Sequence, residues 1–322
     1  MAAFGLAGTA TSYVEVEGAW SNRVLLLRTS DGDYAVKELR NPWGERRWAQ
    51  WLGESWRLEQ AAAAAGVEMP EPVPARDGTC FTAVERADRC GTVPVRVHRW
   101  VEGTRPSVTD VDLDLAAWAG RTLATMHGLG LEPLDASLFP VASTASVRAW
   151  PDLIAEAWSA RAPWASALAA TADAVTRAGD LLVSPASQPT ILSHGDFTLK
   201  NLLLTPTGPV LCDWDVAMPR VAARDLADVA VSIAGWRRRD VARSVRSAYA
   251  AAGRSISAPV PEDLGPTLMV RLDFVSLLIH RALGLRPATA VDRAAAHAQL
   301  PALLREIPHQ VSVAESLTAW LG

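Results

Sequence analysis

Strand-forming and helix-forming segments are segregated along this chain, and their order constrains the fold more than any other feature. Three short runs of β-branched or alternating residues come first, at 13–18, 23–30 and 34–40. The sequence Asp31-Gly32-Asp33 separates the last two runs and predicts a hairpin turn. The chain therefore begins as an antiparallel sheet.

One helix interrupts this sheet, and further helices follow it. Residues 44–65 have apolar and Trp residues near helical spacing and end at Gly66, a residue typical of a helix end. Two more strand candidates lie at 80–86 and 93–101. Residues 110–128 then predict a helix, with Asp110 as its N-cap.

The remaining chain is mostly helical, so the order predicts an α+β fold of two lobes. A length of 322 residues also exceeds the usual size of a single domain. We expect an N-terminal lobe at 1–98, made of an antiparallel sheet and one main helix. A hinge at 99–104 would lead to a larger, mostly helical C-terminal lobe at 105–322.

Composition excludes several classes of protein. With 49% hydrophobic and 20% charged residues, the chain can fill a large core and is not disordered. A net charge of −4 argues against a nucleic-acid binder that acts through bulk charge. No apolar run is long enough to predict a membrane span. Three cysteines without C-x-x-C spacing fit a reducing compartment, so we expect a cytoplasmic protein.

Two residue types are unusually scarce. Of 31 basic residues only Lys37 and Lys200 are lysines, and the chain has three asparagines, one of which is Asn201. Arginine evidently serves wherever any positive charge suffices. A compact ammonium group differs chemically from a planar guanidinium, so the two remaining lysines are candidates for function.

The densest group of chemically active residues lies between 193 and 215. Asp196 follows an apolar run, Asn201 comes five residues later, and Asp213 ends a second apolar run. The turn sequence at 205–208 joins the two runs as a hairpin, which would bring Asn201 close to Asp213. An amide oxygen and a carboxylate, together with phosphate oxygens, suit Mg²⁺, and Asp196 is left to accept a proton from a hydroxyl group. The alternative is that all three are turn and cap residues.

The motif His194-Gly195-Asp196-x-x-x-x-Asn201 followed by Asp213-Trp214-Asp215 resembles the aminoglycoside phosphotransferase family, which belongs with choline-kinase-like and protein-kinase-like small-molecule kinases. The resemblance implies a protein-kinase-like fold. It also implies that Asp196 is the catalytic base and that Asn201 and Asp213 bind the metal.

The same resemblance assigns a nucleotide site in the first lobe. Lys37 would contact the α- and β-phosphates, and Glu59 would pair with Lys37. Backbone groups at Trp100 and Val101 would bind the base of the nucleotide. Ser21, in a turn without the glycine-rich pattern, would reach a phosphate; an ordinary hairpin turn is the alternative.

Four further residues of the motif are expected either to support the structure or to have one of two alternative roles. His194 would orient the catalytic loop, and Trp214 would fill the core. Asp215 is either a second metal contact or a solvated residue, with the solvated position favoured. Lys200 departs from protein kinases, which place a lysine two residues after the aspartate. It is either a second catalytic group that neutralises the transferring phosphate or a solvent-facing residue.

These patterns predict an O-phosphotransferase that uses ATP or GTP with Mg²⁺ and modifies a hydroxyl group on a small molecule. An antibiotic of the aminoglycoside, macrolide or cationic peptide type is the first expectation for the acceptor. The alternatives are a metabolite kinase acting on a sugar, choline or homoserine, and a catalytically silent nucleotide-binding protein. We expect no nucleic-acid or membrane partner, and the sequence leaves the oligomeric state open.

Overall fold

The computed structural model divides the chain into two compact units. One unit comprises 1–139 with 190–220, and the other comprises 140–189 with 221–322. The lobe boundaries at 98 and 104 stay a prediction. The residues that the structure describes are 1–16, 22–40, 46–85, 91–183, 188–255 and 257–322.

The first unit contains a six-stranded antiparallel sheet. Its strands are β1 (Ala10–Val16), β2 (Arg23–Thr29), β3 (Gly32–Glu38), β4 (Pro72–Val73), β5 (Thr82–Glu85) and β6 (Thr92–Arg99). They lie in the order β1-β2-β3-β6-β4, and β5 pairs with β6. Thr29 pairs with Gly32 across β2 and β3, which confirms the predicted hairpin. The predicted fold class, a sheet-rich part followed by a helix-rich part, is also confirmed.

The main helix beside this sheet, α1 (Trp48–Ala64), confirms the helix predicted over 44–65. Gly66 follows it with a φ of 81°, a left-handed conformation that glycine adopts without steric cost. The amide of Val67 then donates to the carbonyl of Ala62, which closes the helix end.

Strand alternation gives the sheet one apolar face and one charged face. Lys37 on β3 lies directly opposite Arg96 on β6, so their side chains share a face. His98 is two residues further along β6 and lies on that face as well. The charged face therefore carries Lys37, Arg96 and His98. The apolar face carries Tyr34, Val36, Val95 and Val97, which pack in one cluster.

A second helix of this unit, α2 (Leu113–Gly128), begins two residues later than its predicted cap implies. Asp112 is the N-cap, and its carboxylate accepts a hydrogen bond from the amide of Leu115 at 2.8 Å. The prediction of Asp110 as the cap is wrong. Asp110 instead accepts from the amide of Ser107 and closes a separate 3-10 turn, a local bond that competes with the helix start.

Four short strands complete the first unit, namely β7 (Ile191–Ser193), β8 (Leu202–Thr205), β9 (Gly208–Leu211) and β10 (Met218–Arg220). β8 and β9 form the hairpin predicted through 205–208, with Thr205 paired to Gly208. β7 pairs with β10. The hydrogen bonds between Thr104 and Leu204 join the segment after β6 to β8.

Helices make up the second unit. They are α3 (Ala145–Ser159), α4 (Ala165–Ala169), α5 (Ala172–Asp180), α6 (Ala222–Ile233), α7 (Arg239–Ala251), α8 (Gly265–Ala282), α9 (Ala290–Glu315) and α10 (Leu317–Leu321). Helix α9 buries a stripe at helical spacing, formed by Leu300, Leu304, Ile307 and Val311. Within the described parts of the chain, every helix is too short or too polar to cross a membrane.

Candidate active site

A tight loop between β7 and β8 carries the motif from His194 to Asn201. Gly195 has a φ of 81°, and a Cβ atom there would collide with the carbonyl oxygen of Val216. Only glycine fits this position, because both the left-handed conformation and the close backbone exclude a side chain. The loop is therefore held tightly against the segment that follows β9.

His194 fixes the orientation of this loop. Its buried ring accepts a hydrogen bond from the amide of Asp196 at Nδ1 (3.3 Å), so Nε2 carries the proton and donates to the carbonyl of Cys212 (3.0 Å). The ring thus links the start of the loop to the end of β9. This arrangement agrees with the orienting role expected from the sequence.

Asp196 presents one oxygen that is occupied and one that is open. Its Oδ2 accepts hydrogen bonds from Nδ2 of Asn201 (2.9 Å) and pairs with Nζ of Lys200 (2.8 Å). Its Oδ1 has no partner in the described residues, and about a quarter of the side chain is exposed. A carboxylate with one oxygen held and one oxygen free can accept a proton from a hydroxyl group.

Asn201 uses its amide nitrogen within the loop and keeps its amide oxygen free. Nδ2 donates to both the carbonyl and the carboxylate of Asp196. Oδ1 has no partner in the described part of the chain. The carbonyl of Asn201 accepts from the amide of Cys212 at 2.8 Å, so the β8–β9 hairpin brings Asn201 beside the residue that precedes Asp213.

Asp213 has an unusual backbone conformation, with φ 67° and ψ 61°. A non-glycine residue in this left-handed region costs about 1–3 kcal/mol and is typical of functional sites. Its Oδ1 lies 2.7 Å from Nζ of Lys37. The second carboxylate oxygen has no partner among the residues described, and a third of the side chain is exposed.

Lys37 joins two aspartates of the segment after β9. Its Nζ lies 2.7 Å from Oδ1 of Asp213 and 2.7 Å from Oδ2 of Asp215. Burial alone would lower the pKa of Lys37, but the attraction of the two carboxylates outweighs it and raises the pKa above its ordinary value. Because an ammonium group has three donors, one is left without a partner in the described residues.

Asp215 is buried, and the expectation that it is solvated is wrong. Only 7% of its side chain is exposed. Oδ1 pairs with Arg96, while Oδ2 accepts from Lys37 and, at 3.3 Å, from Asn22. Burial would raise the pKa of Asp215, but Lys37 and Arg96 outweigh burial and lower it. Both oxygens are occupied, so this aspartate differs from Asp213.

Glu59 does not form the ion pair predicted for it. Its Oε2 pairs with Arg96 and its Oε1 lies 2.9 Å from Nε2 of His98, whereas Lys37 pairs with the two aspartates. The physical reason is the register of the sheet, since Arg96 lies opposite Lys37 and offers a second buried cation on the same face. Glu59 therefore reaches Lys37 only through Arg96 and Asp215.

The segment after β6 carries Trp100 and Val101, the residues predicted to contact the base of the nucleotide. The amide of Arg99 donates to Glu71 and that of Trp100 donates to Asp33, both at short hydrogen-bond distances (2.8 and 2.9 Å). The amide of Val101 has no partner in the described residues, so it is available as a donor. Ser21, the predicted phosphate contact, lies outside the described residues.

Sequence reasoning missed Arg96, His98 and Asn22. Arg96 and His98 alternate with valines in strand β6, and a charged side chain within such an apolar run was the available signal. Asn22 is one of only three asparagines, and its amide oxygen accepts from the amide of Arg40 at 3.0 Å. Its amide nitrogen contacts Asp215.

The free oxygens suit a hard cation. Asn201 Oδ1 and the second oxygen of Asp213 are an amide and a carboxylate ligand of the kind that Mg²⁺ uses together with substrate phosphates and water. The described residues contain no cluster of three or more His, Cys, Asp or Glu side chains that could hold a metal ion. The residues therefore fit a nucleotide-bound magnesium ion.

Comparison with protein families gives one extended match. The model of the phosphotransferase enzyme family APH matches residues 12–264, which is most of the chain and includes every site residue described above. A comparison with curated proteins gave no significant match.

Solved structures of phosphotransferases share the fold at low sequence identity. A spectinomycin phosphotransferase in complex with ADP and spectinomycin is 15% identical, with a TM-score of 0.69 over 98% of this chain and 95% of that chain. A microcompartment-associated aminopropanol kinase is 19% identical, with a TM-score of 0.62 over 99% and 96%. An amicoumacin kinase in complex with AMP-PNP and Ca²⁺ is 14% identical, with a TM-score of 0.59 over 92% and 87%. The similarity confirms the protein-kinase-like fold.

Proposed function

Because this chain belongs to the phosphotransferase enzyme family APH, we propose that it transfers the terminal phosphoryl group of ATP, or of GTP, to a hydroxyl group on a small molecule. Members of this family are small-molecule kinases, and the chain is therefore an enzyme of that class. The nucleotide, the metal and the acceptor are parts of the proposal.

One observation carries the proposal. Within one compact unit, three side chains each keep an oxygen without a partner in the described residues, namely Asp196, Asn201 and Asp213. About a quarter of the Asp196 side chain and a third of the Asp213 side chain are exposed, so their unpaired oxygens are open to a ligand. An acceptor hydroxyl and a metal-bound nucleotide supply the groups that these oxygens lack.

Asp196 acts on the acceptor. With Oδ2 held by Asn201 and Lys200, its Oδ1 orients the hydroxyl group and takes its proton as the bond between the hydroxyl oxygen and the γ-phosphorus forms. The bond from the γ-phosphorus to the β-phosphate oxygen breaks, and the nucleoside diphosphate leaves. The hydrogen bond from the amide of Asp196 to His194 fixes the backbone of the base. Rigid placement of this kind supplies much of the rate in phosphoryl transfer, since the protein has little covalent chemistry to perform.

A second set of residues holds the nucleotide, namely Lys37, Val101, Asn201 and Asp213. Bound magnesium would neutralise charge on the phosphates, and Asn201 Oδ1 with the free oxygen of Asp213 would hold it there. The third donor of Lys37 contacts the α- or β-phosphate as a point charge. The free amide of Val101 binds an edge of the purine base.

Lys200 is placed to act beside the base. Its ammonium group is two-thirds exposed and lies 2.8 Å from Asp196 Oδ2. In this position it keeps the carboxylate oriented, and its remaining donors can contact the transferring phosphoryl group. Because the group is exposed, its contribution is smaller than that of a buried contact.

We propose an antibiotic as the acceptor, with an amino alcohol metabolite as the second candidate. Two of the similar structures named above are of antibiotic kinases, for spectinomycin and amicoumacin, and the third is of an aminopropanol kinase. Each acceptor class presents a hydroxyl group to an enzyme of this fold.

The test is a screen with labelled ATP and Mg²⁺ across a panel of antibiotics and a panel of amino alcohols and sugars. The wild-type protein is compared with Asp196→Asn, which keeps the size of the side chain and removes the base. Label transfer by the wild type and not by the variant supports the proposal. Tight Mg·ATP binding without transfer to any hydroxyl, or transfer that is equal in both proteins, would count against it.

A further inference from the structure

Arg96 is buried with 1% of its surface exposed and is bound at both ends of its guanidinium group. One terminal nitrogen pairs with Asp215 Oδ1 and the other pairs with Glu59 Oε2. The plane also lies over the ring of Trp56, at 5.6 Å from the ring centroid. A buried arginine with two carboxylate partners is a rigid connector, because its planar fork fixes both contacts together.

Three elements meet at this arginine. Arg96 lies on β6 directly opposite Lys37, Glu59 lies on α1, and Asp215 lies in the 3-10 turn after β9. The connection continues from Asp215 to Lys37 at 2.7 Å. Arg96 therefore acts on the nucleotide site through other residues.

The charges along this connection do not cancel. Lys37 and Arg96 supply two positive charges, and the carboxylates of Glu59, Asp213 and Asp215 supply three negative charges. His98 adds no charge near neutral pH, since burial lowers its pKa. One negative charge is left over.

The position of that excess charge is set by the hydrogen bonds. Both oxygens of Asp215 are occupied by Lys37, Arg96 and Asn22, whereas Asp213 has only Lys37 as a partner in the described part of the chain. The excess charge and the free oxygen therefore coincide at Asp213, the more exposed aspartate of the two.

We infer that Arg96 is a positioning residue that withholds Asp215 from the metal, holds Lys37 through Asp215 and so directs the metal-bound nucleotide to Asp213. This inference rests on the proposed function. Arg96, on strand β6, would thus decide which of two nearby aspartates, Asp213 or Asp215, binds the metal.

The test compares the affinity for ATP, with and without Mg²⁺, by calorimetry in matched variants. Arg96→Lys keeps the charge but reaches one carboxylate instead of two. The double variant Arg96→Met with Glu59→Gln removes one charge of each sign, so that it avoids a buried unpaired carboxylate at Glu59. Arg28→Met is the control, because Arg28 is an exposed arginine of the same sheet paired with Asp33.

We expect both Arg96 variants to lose about 10–100-fold in Mg·ATP affinity, the usual range for residues that orient metal ligands. Their affinity for ATP without Mg²⁺ changes less, because Arg96 controls the additional affinity for ATP that Mg²⁺ provides. Arg28→Met keeps the wild-type values. Thermal unfolding of each variant is measured in parallel.

The possible outcomes separate this inference from the proposed function. If either Arg96 variant folds and binds Mg·ATP as the wild type does, Arg96 has only a structural role and the inference fails. Equal losses with and without Mg²⁺ would also overturn it. If the wild type binds no Mg·ATP, the proposed function itself fails and this inference fails with it.

Discussion

Two groups of acidic residues in the first unit differ in how their oxygens are used. At the open group, Asp196 and Asp213 each keep one carboxylate oxygen without a partner in the described residues. At the buried group, Glu59 and Asp215 have partners at every carboxylate oxygen. The difference indicates which carboxylates are available to substrates and which hold the structure around them.

The largest expected effect is at Asp196. Replacing it with Asn removes the proton acceptor, and we expect turnover to fall about 1,000-fold or more, within the range of a lost general base. Binding of Mg·ATP stays near its wild-type value, since Asp196 acts on the acceptor. Steady-state kinetics measure turnover, and calorimetry measures Mg·ATP binding. Near-normal turnover would show that Asp196 is not the catalytic base.

Asp213→Ala should have the next largest effect. Loss of the anionic metal ligand leaves the neutral amide oxygen of Asn201, so we expect Mg·ATP affinity to fall about 100-fold and turnover to fall with it. Calorimetry at fixed Mg²⁺ tests this. An unchanged affinity would place the metal at another carboxylate, with Asp215 the first to examine.

A smaller effect is expected at Lys200. We expect Lys200→Ala to lower kcat about 10–100-fold, below the loss for a buried contact to the transition state, because this ammonium group is two-thirds exposed. The KM for nucleotide changes little. Lys200→Arg should recover part of the activity, and a wild-type kcat in Lys200→Ala would show that the pair with Asp196 has no catalytic role.

The smallest expected effect is the change with pH in the stability contributed by Asp215 of the buried group. The folded-state pKa of Asp215 is lowered below its ordinary value by Lys37 and Arg96. Its stabilisation is therefore present above the unfolded pKa of about 3.9 and is lost as the pH falls below that value. We expect the difference in unfolding free energy between wild type and Asp215→Asn to shrink below about pH 4. Denaturant titrations at pH 7 and pH 3 measure it.

The sequence predicted the hairpin that joins the two segments of the open group, but it did not predict the contacts of the buried group. The catalytic and metal-binding roles of the open group stay a prediction. Asp196 and Asn201 precede the β8–β9 hairpin and Asp213 follows it, so local spacing and a turn signal were enough to predict that the hairpin brings these two segments together. The pair between Arg96 and Glu59 depends on the register between β3 and β6 and on where α1 packs. These contacts join residues far apart in sequence, and no local pattern encodes them.

The error at Asp215 has the same origin. In the sequence Asp213-Trp214-Asp215, the two aspartates have the same side chain and nearly the same neighbours. They differ because the chain turns through a left-handed residue at Asp213 and carries Asp215 to the buried side, next to Arg96. Long-range packing decides which of the two is exposed.

The most direct test of the central claim compares Asp213→Asn with Asp215→Asn, since both changes remove one charge and keep the shape. Thermal unfolding and Mg·ATP affinity are measured for each. We predict that Asp213→Asn unfolds near the wild-type temperature and loses Mg·ATP affinity, because its carboxylate is open and partly exposed. We predict that Asp215→Asn unfolds at a clearly lower temperature, because Arg96 and Lys37 lose a buried partner. The reverse pattern, with Asp213→Asn unstable and Asp215→Asn stable but unable to bind Mg·ATP, would contradict the account.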